Sequence, residues 1–149
     1  MTKLIKKRFI IAVLMLALIG STATAFAAQY TNSKTFNTNL PHLNQNVTAA
    51  SATKTTARSY GKVTISKIGG GSAGINCWLR SKKNDGSWDP LNSKYRTFTK
   101  LGTKTVYYKN AETGYTIPHH KGASTQLRME NRTTTQFIRD DVRGTVWFN

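Results

Sequence analysis

A single cysteine, Cys77, stands in a chain of 149 residues. No intrachain disulfide is open to it, so apolar burial and backbone hydrogen bonding have to hold the fold unaided. The same scarcity removes paired-cysteine zinc spacings, and no HExxH motif is present. Acids are down to six: Asp85, Asp89, Glu112, Glu130, Asp140 and Asp141. Most of them fall in expected turns, where carboxylates serve turn geometry and solvation. A glycosidase needs two carboxyls at a fixed separation, one with a raised pKa, and the spacing singles out no such pair. No GxSxG elbow occurs. After Gly20 no stretch is apolar for long enough to cross a bilayer, and none keeps apolar residues at i, i+3, i+4 and i+7 over three turns.

Two other constellations invite a chemical reading and fail it. His119 and His120 are adjacent, and on an extended segment neighbours point to opposite sides, so they do not grip one ion together. His42 lies far off in a Thr-rich stretch. Cys77 beside a histidine would make a nucleophile and its base, but Cys77 shares the alternation phase of Ile75 and Leu79, which sends its side chain into the core as a small hydrophobe. The expectation is a non-enzymatic protein with no catalytic residue, no cofactor and no metal. A hydrolase whose site is hidden by sequence spacing is the enzymatic alternative.

What the chain does have begins with a cationic start, Lys3, Lys6, Lys7 and Arg8, followed by an uncharged apolar run over residues 9–20 and the small-x-small triplet Ala25-Phe26-Ala27. This is the layout of a cleaved secretory signal over residues 1–27. The run is too short to span a hydrocarbon core, which takes roughly twenty residues. Without it the mature form has no transmembrane segment and is secreted, extracellular or associated with the cell wall. The leader takes four of the 22 basic residues, which leaves 18 against 6 acids, a net charge near +12.

Residues 28–59 read as a polar, partly flexible segment with one strand at 34–41, ended by Pro41. Within it, residues 44–56 look like a flexible connection, since they bury too little apolar surface to offset their ordering entropy. From residue 60 to 149 the pattern turns to period two. Val63 and Ile65 alternate with polar neighbours, as do Ile75, Cys77 and Leu79, with Trp78 and Arg80 on the opposite face. Gly69-Gly70-Gly71 and Asn84-Asp85-Gly86-Ser87 mark turns. Further strands fall at 95–101 and 104–109 with Gly102 turning between them, at 125–131, and at 144–148. Glu112-Thr113-Gly114 is another turn, residues 136–142 are ambiguous, and Asp140-Asp141 reads better as a turn. The predicted fold is all-β, an antiparallel β-sandwich of about six to eight short strands.

Cations are interleaved with aromatics. Arg80, Lys82, Lys83, Lys94, Arg96, Lys100, Lys104 and Lys109 alternate with Trp78, Trp88, Tyr95, Phe98, Tyr107 and Tyr108. A sandwich core accounts for most of the rings, but not for the sign of the charge. A surplus of this size attracts polyanions. The eight cations are the candidate polyanion-binding residues, the expected partners are anionic cell-wall polymers or membrane head groups, and no motif for specific nucleic-acid recognition is visible. A monomer is expected.

The leader together with Thr38-Asn39-Leu40-Pro41, Ala52-Thr53-Lys54-Thr55, Asn76-Cys77-Trp78-Leu79 and Val142-Arg143-Gly144-Thr145-Val146-Trp147 resembles small exported proteins of unknown function from Gram-positive bacteria. That resemblance implies export and a β-sandwich, and carries no functional residue. At the level of class alone, the chain is similar to lactococcin-like bacteriocins, which makes a toxin acting on competitors' envelopes the alternative function.

Overall fold

In a computed structural model the alternating segments pair as two antiparallel sheets. The structure describes residues 32–41, 45–69, 73–89, 95–108, 117–132 and 139–149. The leader at 1–27, His42, Gly70 and Gly71, Lys94, Lys109, the turn at 112–114 and residues 136–138 lie outside the described residues. Eight strands are formed among the described residues: β1 (Ser33–Leu40), β2 (Val47–Thr53), β3 (Tyr60–Ile68), β4 (Ile75–Ser81), β5 (Arg96–Phe98), β6 (Gly102–Tyr107), β7 (Ser124–Asn131) and β8 (Asp140–Trp147). One sheet has the order β1-β8-β3-β6 and the other β2-β7-β4-β5. The fold is the all-β antiparallel sandwich that the period-two pattern predicts.

The pattern does its work on the inner faces. Val63 and Ile65 of β3, Val142 and Val146 of β8, and Phe36 and Leu40 of β1 are buried in one sheet. Facing them from the other are Ile75, Cys77 and Leu79 of β4, Leu127 and Met129 of β7, and Phe98 of β5. Because each residue inward is followed by one outward, the register sets which polar residues share an outer face. Pairing Trp78 with Arg128 and Leu79 with Leu127 across β4 and β7 is what assembles the cationic surface described below.

Three segments depart from expectation. Residues 47–53, read as flexible, form β2 on the edge of the second sheet, paired with β7 through a bulge between Thr48 and Ala50. Ala49, Ala50 and Ala52 bury little by themselves, yet they pack against the core, and β7 supplies the hydrogen bonds that offset their ordering. The sandwich therefore starts at Ser33 and not at residue 60, with β1 and β2 each contributing an edge strand. Asp140 and Asp141 belong to β8 rather than to a turn, opposite Leu40 and Asn39 of β1. Asp141 is tolerated there because Lys67 Nζ and Arg143 Nη2 donate to its Oδ2 at 2.6 and 3.2 Å. Those donors hold its carboxyl below the usual range. Finally, Gly102 opens β6, so the turn between β5 and β6 falls at residues 99–101.

Cys77 lies where its phase places it, fully buried, opposite Arg96 of β5 and near enough to Lys104 to feel its charge. Burial pushes its thiol up to about 12, against a smaller opposing pull from those two cations. Native protein is therefore expected to resist thiol reagents at neutral pH and to label stoichiometrically only in denaturant. Cys77→Ala should cost on the order of 1 kcal/mol, seen as a lowered urea midpoint. Rapid native labelling would show the phase of β4 to be wrong.

Candidate functional site: a cationic and aromatic surface

Among the described residues the fold gathers cations and aromatics into three groups, two of which hold the expected polyanion residues other than Lys83. Beyond Ser81 the chain turns back on itself: Lys83 N donates to Ser87 O at 2.8 Å, and Asp85 Oδ1 accepts from the backbone and the hydroxyl of Ser87 at 2.8 and 2.6 Å. Those bonds hold the Asp85 carboxyl below its ordinary range. The return sets Trp88 opposite Lys82, and Arg80 and Lys82 both lie over its ring, each 5.4 Å from the centroid. Arg80 is held there by its Nε, which donates to Asp89 O at 3.3 Å. Lys83 falls outside this cluster, at the turn, beside Asp85, Pro118 and His120.

A second group was missed by sequence reading. Arg128 of β7 was not among the eight candidates, because nothing near it in sequence is aromatic. Register brings it opposite Trp78 and diagonal to Arg80, and burial followed by Arg80's charge lowers its pKa. Its guanidinium donates to Thr48 Oγ1 at 2.6 Å and to Asn46 Oδ1. Trp78 was expected to face outward with Arg80, and it does lie off the inner face, but it is buried. Tyr95 packs over it at 4.9 Å between centroids, and its indole N–H has no hydrogen-bond partner among the described residues.

The third group lies along β5 and β6, which are consecutive in the chain but belong to different sheets. No ladder joins them. Two side chains do so instead: Arg96 Nε donates to Thr105 O at 2.9 Å, and Lys104 Nζ donates to Thr97 O at 2.6 Å. The cations also rest on rings, Arg96 over Tyr107 at 5.6 Å and Lys104 over Phe98 at 5.2 Å. Lys100 is exposed in the turn between the strands. Tyr107 meets Tyr60 edge to face at 6.2 Å, and Arg58 continues the row by donating to Tyr60 Oη at 3.0 Å. Arg58 and Tyr60 were also missed, being too far in sequence from the aromatic run to be grouped with it.

The two ion pairs among the described residues are both made by Asp141. Glu130 accepts from Asn76 Nδ2 at 3.3 Å and lies close enough to Tyr95 to add to the burial that raises its phenol. His119 stacks on Tyr108 at 6.2 Å with its Nδ1 2.8 Å from Ile117 O, while His120 is exposed. Among the described residues no three His, Cys, Asp or Glu side chains are grouped to hold a metal, and no helix is long and apolar enough to cross a membrane.

No protein-family model and no curated protein sequence matches this chain. Among solved structures, the chain is similar to the Yersinia pseudotuberculosis-derived mitogen, with 11% identity over 79% of this chain and 86% of that one at a TM-score of 0.43. A protein of Sulfurospirillum deleyianum has 9% identity over 79% and 98% at 0.43, and infectious bursal disease virus has 13% over 77% and 30% at 0.38. These scores are too low to carry a functional argument, which has to come from the chain's own residues.

Proposed function

We propose that this protein is a secreted, non-enzymatic binder of anionic polymers of the bacterial envelope. The observation that supports this is the arrangement of Arg80, Lys82, Arg96 and Lys104. Each is laid on an aromatic ring, and among the described residues none is paired with a carboxylate. A cation already held by a ring and a backbone carbonyl loses less side-chain freedom when an anion arrives. Arg80, Arg96 and Lys104 are held in this way and Lys82 lies on its ring, and on a mature chain of net charge near +12 the four give both steering and contact.

Retention on purified cell walls is expected to fall steeply as salt approaches 0.5 M, where screening shortens to about 5 Å. Replacing Arg80, Lys82, Arg96 and Lys104 together by Gln should weaken binding on the order of a hundredfold, at about 1 kcal/mol or a little less per cation near an anionic surface. Equal retention on walls stripped of their anionic polymer would refute the proposal.

A further inference from the structure

We propose that the groove between β5 and β6 is a saccharide subsite, taking a sugar residue that carries one anionic group, with Arg96 and Lys104 on the anion and Tyr95 and Tyr107 on the ring. This rests on the envelope-polymer reading and narrows it from any polyanion to a glycan.

The groove has a volume of about 450 Å³ and is lined by Tyr95, Arg96, Thr97, Lys104, Thr105 and Tyr107. That volume falls in the range of small-ligand sites. Its two rings are half-exposed, at 47% each, and both are braced from behind, Tyr95 by Trp78 and Tyr107 by Tyr60. Exposed aromatics are ordinary, but rings fixed on either side of two cations form a preorganised surface. The bland account of Arg96 and Lys104 is that they protect two sheet edges, since each covers a carbonyl of the neighbouring edge strand. That account uses only Nε of Arg96 and one proton of Lys104. Among the described residues, neither Nη group of Arg96 and only one ammonium proton of Lys104 is engaged by a hydrogen bond, which leaves the others for a ligand.

The distribution of charge along the groove selects the ligand class. Arg96 lies over Tyr107 and Lys104 over Phe98, while Glu130 lies close enough to Tyr95 to add to the burial that raises its phenol. A densely charged strand laid along the groove would meet a like charge at its Tyr95 end. A sugar with a single carboxylate or phosphate meets none: its neutral ring lies on tyrosine and its anion lies on the cations.

The test is an NMR titration of the purified protein with a glucuronate-containing disaccharide, a hexose phosphate, a neutral disaccharide and polyphosphate. Both charged saccharides are expected to shift the amides of Tyr95, Arg96, Thr97, Lys104, Thr105 and Tyr107. The larger response separates a carboxylate-bearing from a phosphate-bearing glycan. Tyr107→Leu and Arg96→Gln should each weaken saccharide binding about tenfold, and Tyr107→Leu should leave polyphosphate binding within twofold. Both side chains are at the surface, so the dispersion of the remaining spectrum verifies folding. Shifts centred on Trp88, Arg80 and Arg128 would overturn the subsite while leaving the envelope reading intact. The same holds if the neutral sugar binds as tightly as the charged ones, or if polyphosphate occupies the groove with equal affinity. Failure of every anion to bind would overturn the envelope reading itself.

Discussion

Gly144→Ala is expected to prevent the chain from folding stably. Gly144 is in the middle of β8, which is hydrogen-bonded on both sides, to β1 at Phe36 and to β3 at Ile65. A methyl group there would overlap Thr64 O and come within 2.7 Å of Phe36 Cζ. A ring can turn aside, but the Thr64 carbonyl belongs to the backbone of an interior strand and cannot retreat without breaking the sheet. Overpacking of this kind costs more than the usual 1–3 kcal/mol, on the order of 5 kcal/mol, which is comparable to the whole stability of a small domain. Loss of near-UV circular dichroism and of the cooperative urea transition is the expected readout. The contrasting substitution is Gly86→Ala. Gly86 has a φ of +80°, but nothing lies within 4 Å of an added Cβ, so only the strain of the left-handed region applies, about 1 kcal/mol. Should both variants unfold at similar urea concentrations, the register of β8 against β3 would have to be abandoned.

Lys54→Met should stabilise the protein at neutral pH and lose that advantage as the solution becomes alkaline. Lys54 is 1% exposed, its Nζ donates to Arg58 O at 2.9 Å, and it lies 4.1 Å from the centroid of the Tyr108 ring. No carboxylate accompanies it among the described residues, so burial lowers its pKa from 10.5 to about 8. The unfolded chain holds this proton more tightly than the folded one. Wild-type stability, measured against Lys54→Met, should therefore rise between about pH 8 and pH 10.5 and be lowest below 8. The carbonyl and the ring offset part of the desolvation, which leaves a cost on the order of 2 kcal/mol at pH 7.

Cys77 and Tyr108 oppose this trend in either protein alone. Burial raises both, so the stability they contribute below their unfolded values, 9.0 for the thiol and 10.0 for the phenol, is lost as pH climbs through the folded ones. Because both residues are present in wild type and variant, they cancel in the difference. Urea midpoints at pH 7, 9 and 10 decide the matter. A variant less stable at pH 7, or a difference that does not change with pH, would mean that the Lys54 amine is solvated.

Residue alternation alone was enough to place most of the strands. Val63 and Ile65, Ile75, Cys77 and Leu79, and Leu127 and Met129 are buried as their phase requires, because a period of two is a local property that neighbouring residues carry. Where the phase was ambiguous, local composition misled. β2 has the look of a linker since its alanines gain stability only from β7 and the core, and Asp140-Asp141 has the look of a turn since the partners of Asp141 lie at Lys67 and Arg143 on the outer face of the same sheet.

The excess of cations and their mixture with aromatics were likewise evident before any fold was known, and six of the eight candidate residues lie among those described. What composition could not supply was grouping. The reciprocal bonds of Arg96 and Lys104 need β5 and β6 to end up on the edges of different sheets. The meeting of Arg128 with Trp78 and Arg80 needs the register between β4 and β7, and the close approach that excludes a side chain at Gly144 needs β3 and β8 side by side. Sequence by itself determined strand phase and the sign of the surface, both sums over local choices. Tertiary structure decided which cations share a ring, which lysine is buried and which glycine is indispensable, because those depend on pairings between residues far apart in the chain.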